Sequence, residues 1–178
     1  MKTLKYVKIA LFALAAAGGP IAAAQSAPPE VATRFSSPEL TGETTARAWG
    51  FRLYDAELWT EDGAFSFGQK FALTLTYGAR FSAELLARST IDEIVRVEGG
   101  QPSDHSRLQG RLQQCLIDVR RGSRITGVAE SPSRVSLYAN GSKRCTINYP
   151  SLTKRFFGIW LAPTSRDTRG AARLTGAS

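Results

Sequence analysis

The chain has 178 residues, 43% hydrophobic and 21% charged, with 23 basic against 15 acidic side chains for a net charge of +8. This balance fits one globular domain with a buried core and excludes a disordered or fibrous chain. The positive charges are scattered as single arginines and short pairs among acids, with no basic stripe interleaved by aromatic rings, which argues against a nucleic-acid partner.

The chain opens on "MKTLKYVK", basic and free of acids, followed by the apolar "IALFALAAAGGPIAAA" with small residues at 22–24. This order predicts a secretory signal peptide over residues 1–24, cleaved after Ala24. The apolar run is about 16 residues long, short of the ~20 that span a bilayer, and no second such run follows. The expectation is a periplasmic or secreted protein without stable membrane insertion. Loss of Lys2, Lys5 and Lys8 leaves 20 basic residues against 15 acids, a net of +5.

Residues 25–37 show no periodicity and read as an N-terminal lead-in to a single domain over 38–178. A short strand is expected near Leu40, then "TTARAWG" and "FRLYDAELWT", with Gly50 as a bulge or kink between them. In "FRLYDAELWT" Arg52, Tyr54, Ala56 and Leu58 share one strand face and Asp55 and Glu57 the other. "FALTLTY" (71–77) alternates cleanly and predicts a half-buried strand.

The period then changes. Ser82 is a fitting N-cap for a helix that restarts at Thr90, where Thr90-x-x-Glu93 has the capping-box form. Leu86, Ile94 and Val97 share its apolar face, with Ile91 beside it, and Gly99-Gly100 end it. A second helix is predicted from Ser103 to Val119, since Leu108, Leu112, Cys115, Leu116 and Val119 recur at three- and four-residue spacing. Cys115 therefore faces a core.

Three strands follow, 123–130, 134–139 and 142–149. Asn140-Gly141 forms a type I′ hairpin turn between the last two. That turn sets Ala139 opposite Ser142 and Ser136 opposite Cys145, and puts Cys145 on the face of Tyr138. Leu152, Phe156, Ile159 and Trp160 mark a helix in "SLTKRFFGIWL", and a short helix closes the chain. Strands and helices come in separate runs, which predicts an α+β fold with an antiparallel sheet covered on one face by helices.

The two cysteines, Cys115 and Cys145, allow one disulfide or two buried thiols. A bridge would close a loop of about 30 residues, worth ~3–4 kcal/mol in the chain-entropy model. No metal or cofactor motif is present: there is no HExxH, CxxC or P-loop, and the lone His105 reads as a surface or capping residue. No G-x-S-x-G elbow supports a Ser-His-Asp triad. Asp55 and Glu57 read as the outer face of their strand. A glycosidase-like pair is the alternative, at ~7 Å between Cα atoms.

The segments "RLYDAELWT", "FALTLTYGARFSAELLARSTIDEI", "GSRITGV", "LYANG" and "FFGIWLAPTSRDTRGA" keep an order and spacing, from about Leu40 to Leu174, that resembles the bacterial branch of the chalcone-isomerase-like family. The resemblance implies an open-faced β-sandwich, an antiparallel sheet under a layer of helices. Plant-type members of that family cyclise chalcones to flavanones, and others bind fatty acids and catalyse nothing. Both use an arginine near the first long hairpin and a hydroxyl-bearing residue on the next strand. "L-Y-D-A-E-L-W" places Tyr54 at the hydroxyl position. The arginine matches Arg47, with Arg52 as the second candidate. Tyrosine there is the choice of the fatty-acid binders, whereas the cyclising members carry threonine. Their Tyr-Lys-Asn helix set has no counterpart in 82–119.

The resemblance thus implies binding of a fatty acid or similar amphipathic carboxylate between sheet and helices, on Arg47 or Arg52 and Tyr54, with no metal or cofactor. The alternative it implies is an isomerase of chalcone–flavanone type acting on a phenolic enone, whose developing enolate an arginine and a hydroxyl would stabilise.

Overall fold

The computed structural model describes residues 26–177, so the predicted signal peptide lies outside the described residues. Six strands form one antiparallel sheet in sequence order: β1 Glu39–Ala48, β2 Phe51–Thr60, β3 Phe71–Tyr77, β4 Arg124–Ser131, β5 Arg134–Ala139 and β6 Ser142–Asn148. Four helices lie on one face: α2 Ala83–Glu98, α3 Ser106–Cys115, α4 Leu152–Leu161 and α5 Thr168–Thr175. This is the predicted α+β architecture.

The period-2 alternation of the strands builds the main core. Leu58 of β2, Phe71, Leu73 and Leu75 of β3, Val135 and Leu137 of β5 and Ile147 of β6 meet Ile91, Leu112, Phe157 and Leu174 from the helices. Phe71 and Phe157 pack edge to face with ring centroids 4.8 Å apart, a favoured aromatic geometry.

The opposite sheet face is covered too. The stretch expected as a lead-in without periodicity carries a helical turn, α1 Pro29–Ala32. Val31 and Phe35 pack there on Trp59, Ala72, Val128 and Tyr138. For that reason β3 is buried at every position except Thr76, instead of half-buried. Under the same cover the Glu30 carboxylate accepts from Arg124 Nε at 2.8 Å, Arg124 Nη2 at 3.0 Å and Thr126 Oγ1 at 2.8 Å.

Other local expectations are corrected. Gly50 is no bulge. Trp49 and Gly50, at φ 47° and 82°, are the two central residues of a tight turn joining β1 to β2. Helix α2 does not restart at Thr90, whose Oγ1 donates to the Leu86 carbonyl at 2.8 Å and so satisfies itself inside the helix. Ser82 is its N-cap, accepting from Leu85 N–H. Val97 points to solvent, and the buried stripe is Ala87, Thr90, Ile91 and Ile94. The second helix stops at Cys115, because residues 116–119 turn extended and Val119 pairs with Phe81 through two backbone hydrogen bonds.

The Asn140-Gly141 turn holds, with Ala139 opposite Ser142. A register shift between Leu137 and Tyr138 then sets Cys145 opposite Leu137 and Ser136 opposite Thr146. Cys145 is thereby turned from the face of Tyr138 to the helix side. It is bonded there to Cys115, with Cα atoms 5.6 Å apart.

Candidate functional site

Tyr54 points from β2 into the helix layer, where its ring packs edge to face on Tyr77 at 6.1 Å. Its oxygen accepts a hydrogen bond from Trp160 Nε1 of α4 at 3.0 Å. Among the described residues that is its one hydrogen bond, so the hydroxyl hydrogen remains available to donate. Burial pushes the Tyr54 hydroxyl above its ordinary value. The Trp160 bond opposes the rise, and the charges of Asp167 and Glu93 add to it, so the group is a protonated donor at neutral pH.

Tyr54 lines a small cavity of about 100 Å³ together with Thr44, Glu93, Trp160, Ser165, Arg166 and Asp167. The segment after α4 roofs it and is tied to α2 through Glu93. That carboxylate accepts from Arg96 Nε at 2.8 Å and from Arg166 Nε, while Arg96 Nη2 donates to the Thr164 carbonyl at 2.8 Å. Burial alone would raise the Glu93 carboxyl, but the hydrogen bonds from Arg166 and Arg96 outweigh it and hold it below its ordinary value. Arg166 uses only its Nε here and stays largely exposed, which leaves its two terminal amino groups for an anion.

A second hollow adjoins the first, with Glu93 and Ile159 common to both. It is a groove of about 370 Å³ between α2 and α4, with apolar walls of Ile94, Val97, Ile159 and Ala162 and a charged margin of Lys154 and the Arg155–Glu98 ion pair. Its size falls within the ~300–1,000 Å³ of small-molecule sites, whereas the Tyr54 cavity alone is too small for an acyl chain.

The predicted arginines lie elsewhere. Arg47 and Arg52 line a different concavity, with Glu43, Asp55 and Glu57, and not the one that holds Tyr54. Arg47 follows Glu43 and Thr45 onto the outer face by ordinary alternation, but Arg52 is turned there by a register shift: Ala46 pairs with Tyr54 and Arg47 with Arg52, so Leu53 is left over. This bulge breaks the alternation that would have put Arg52 beside Tyr54. Arg52 instead forms an ion pair with Asp55, which also accepts from Thr45 Oγ1 at 2.8 Å. Glu57 accepts from Trp59 Nε1 at 3.3 Å. The two acids share the outer face and do not confront each other across a cleft.

Arg166, Glu93 and the indole nitrogen of Trp160 escaped the sequence reading. One signal was present: a half-buried tryptophan carries an N–H that needs an acceptor. His105 does occupy a capping position, the N-cap of α3, but without a side-chain cap bond, and it is no surface residue: it is buried, with its Nδ1 3.1 Å from the Tyr149 hydroxyl.

No family model and no curated protein matches the chain. Among solved structures it is similar to an Arabidopsis thaliana fatty-acid binding protein, with a TM-score of 0.62 at 10% sequence identity over 79% of this chain and 88% of that one. The likeness is one of fold: a six-stranded antiparallel open sheet with helices, chalcone-isomerase-like in class.

Proposed function

We propose that this chain is an exported, non-catalytic member of the chalcone-isomerase-like fold superfamily, in its bacterial branch, that binds a fatty acid or similar amphipathic carboxylate. The carboxylate would lie at the Tyr54 cavity, taking the free Tyr54 hydroxyl hydrogen and the terminal amino groups of Arg166. The acyl chain would run along Ile159 into the groove between α2 and α4. The observation that carries this reading is the Tyr54 hydroxyl. It is fixed by Trp160, has its own hydrogen unassigned, and lines a cavity that shares Glu93 and Ile159 with a partly apolar groove. The solved fatty-acid binding protein of the same fold supports it. Each methylene buried in the groove would contribute about 0.8 kcal/mol before ordering costs.

The test is titration of the purified protein with palmitate and with hexadecanol, read by the intrinsic fluorescence of its three tryptophans and by native mass spectrometry. Saturable one-to-one binding of palmitate, weakened about tenfold in Arg166→Gln and less in Tyr54→Phe, is expected. Arg47→Gln and Arg52→Gln should bind as the parent does. If those two variants lose palmitate while Arg166→Gln keeps it, the anionic end sits on the β1–β2 hairpin and the placement is wrong. Cyclisation of a hydroxychalcone by the purified protein would replace the reading altogether. Export is checked separately: intact mass of protein from the producing cell should begin at or near Gln25.

A further inference from the structure

The hairpin between β1 and β2 turns on Trp49 and Gly50, at φ 47° and 82°. The chain builds the same turn at Asn140-Gly141, with φ 48° and 89°, and Asn-Gly is what this turn favours. A bulky aromatic residue in the left-handed region is a conformational outlier. Turn chemistry therefore does not explain Trp49. Packing does not either, since Trp49 is 96% exposed and Phe51, two residues on, is 74% exposed.

The surroundings of this tip are basic. Arg47 lies on its flank. Gly78 N–H donates to the Leu53 carbonyl at 2.8 Å and so joins the exit of β3 to the hairpin. From Gly78 a shallow hollow runs past Arg80, Arg120 and Arg121. Arg47, Arg80, Arg120 and Arg121 form no ion pair among the described residues. Of the acids near this end, Asp55 holds Arg52 and Asp118 accepts from Ala83 N–H at 2.9 Å, while Glu43 and Glu57 are register partners across β1 and β2, farther from the turn than Arg47.

We propose that this end of the sheet docks peripherally on an anionic lipid bilayer, with the Trp49 and Phe51 rings in the interfacial layer and the four arginines on lipid phosphates. Tryptophan concentrates at the membrane–water boundary because its ring is apolar and its N–H stays wet. Guanidinium groups match phosphate oxygens in a bidentate way. A second copy of the chain fits this surface poorly, because like-charged ends would face each other. No helix among the described residues is long and apolar enough to cross a membrane, which is consistent with surface docking. The inference does not depend on the Tyr54 site.

The test is flotation of the purified protein with vesicles of phosphatidylglycerol and phosphatidylcholine in equal parts, against pure phosphatidylcholine, at low and high salt. The protein should float with the anionic vesicles only, and salt should release it. Trp49→Asn is the informative variant, because it installs the preferred turn residue. It should keep or raise the melting temperature while lowering partitioning about tenfold. Arg80→Gln, Arg120→Gln and Arg121→Gln should each lower it about fivefold. The proposal is overturned if the parent does not float with anionic vesicles, or if Trp49→Asn floats equally well. It is also overturned if the parent is a dimer without lipid that Trp49→Asn dissociates.

Discussion

The hydroxyl oxygen of Tyr54 on β2 accepts the indole N–H of Trp160 on α4 at 3.0 Å, a bond between residues 106 apart in sequence. It fastens the sheet to the helix layer at the edge of the proposed site. Tyr54→Phe removes the acceptor and leaves the Trp160 N–H unmatched, which should cost about 1–2 kcal/mol. Trp160→Phe removes the donor and some packing. Urea unfolding of both variants and the double variant measures the coupling. A double variant less destabilised than the sum of the singles is expected, and strict additivity would show that the bond contributes nothing.

The Glu30 carboxylate is held beneath the outer face by Arg124 and Thr126. Removing one partner of such a pair strands the other, so Glu30→Ala should destabilise by on the order of 3 kcal/mol. The measurement is the denaturant midpoint at neutral pH. A change below 0.5 kcal/mol (roughly the range of ordinary surface substitutions) would mean that the Glu30–Arg124 pair contributes little and that Val31 and Phe35 alone hold the segment on the sheet.

The same acids fix a pH dependence. For Glu30, Glu93 and Glu130, burial alone would raise the carboxyl, but hydrogen bonds from Arg124, from Arg166 and Arg96, and from Arg34 respectively outweigh it and leave each below its ordinary value of 4.5. A carboxyl depressed on folding stabilises fully above its unfolded pKa, and that stability is lost as pH falls through the folded value. Thermal stability should therefore drop as pH falls below about 4.5. Glu57 runs the other way, since burial and the charges of Glu43 and Asp55 raise it. Glu57→Gln should thus raise the melting temperature at neutral pH while leaving the acid-side loss in place.

Reducing the Cys115–Cys145 bond reopens a loop spanning 30 residues. The chain-entropy model sets the loss at ~3–4 kcal/mol. Unfolding with and without reductant, compared with the Cys115→Ser/Cys145→Ser variant, checks it, and peptide mapping without reductant identifies the cross-link.

Gly42 lies where α5 presses on β1. A Cβ there would stand 2.1 Å from the Arg173 carbonyl oxygen and 2.6 Å from that of Leu174. Backbone atoms cannot swing aside, so Gly42→Ala should force α5 off the sheet at a cost of about 3 kcal/mol, the upper end of the overpacking range. Because Gly170, Ala171 and Leu174 of α5 wall the Tyr54 cavity, this variant should also alter palmitate binding. Retention of both stability and binding would show that α5 yields freely.

The sequence by itself determined what backbone periodicity imposes. Alternation over 71–77 marked a strand, though not its burial on both faces, three- and four-residue spacing put Cys115 on a buried stripe, and Asn140-Gly141 set the last hairpin, because each depends only on neighbours within a few residues. Tertiary structure alone decided what depends on distant partners. One leftover residue, Leu53, turned Arg52 away from Tyr54 and onto Asp55. A register shift after Leu137 carried Cys145 across the sheet to Cys115. Val31 and Phe35, unremarkable in an aperiodic stretch, became the cover of the outer face. Trp160 found Tyr54, and Arg166 found Glu93, only when α4 and its exit folded over the sheet. A bulge or a covering contact is selected by the packing and hydrogen bonds it gains across the whole domain, and the local pattern of residues does not encode that choice.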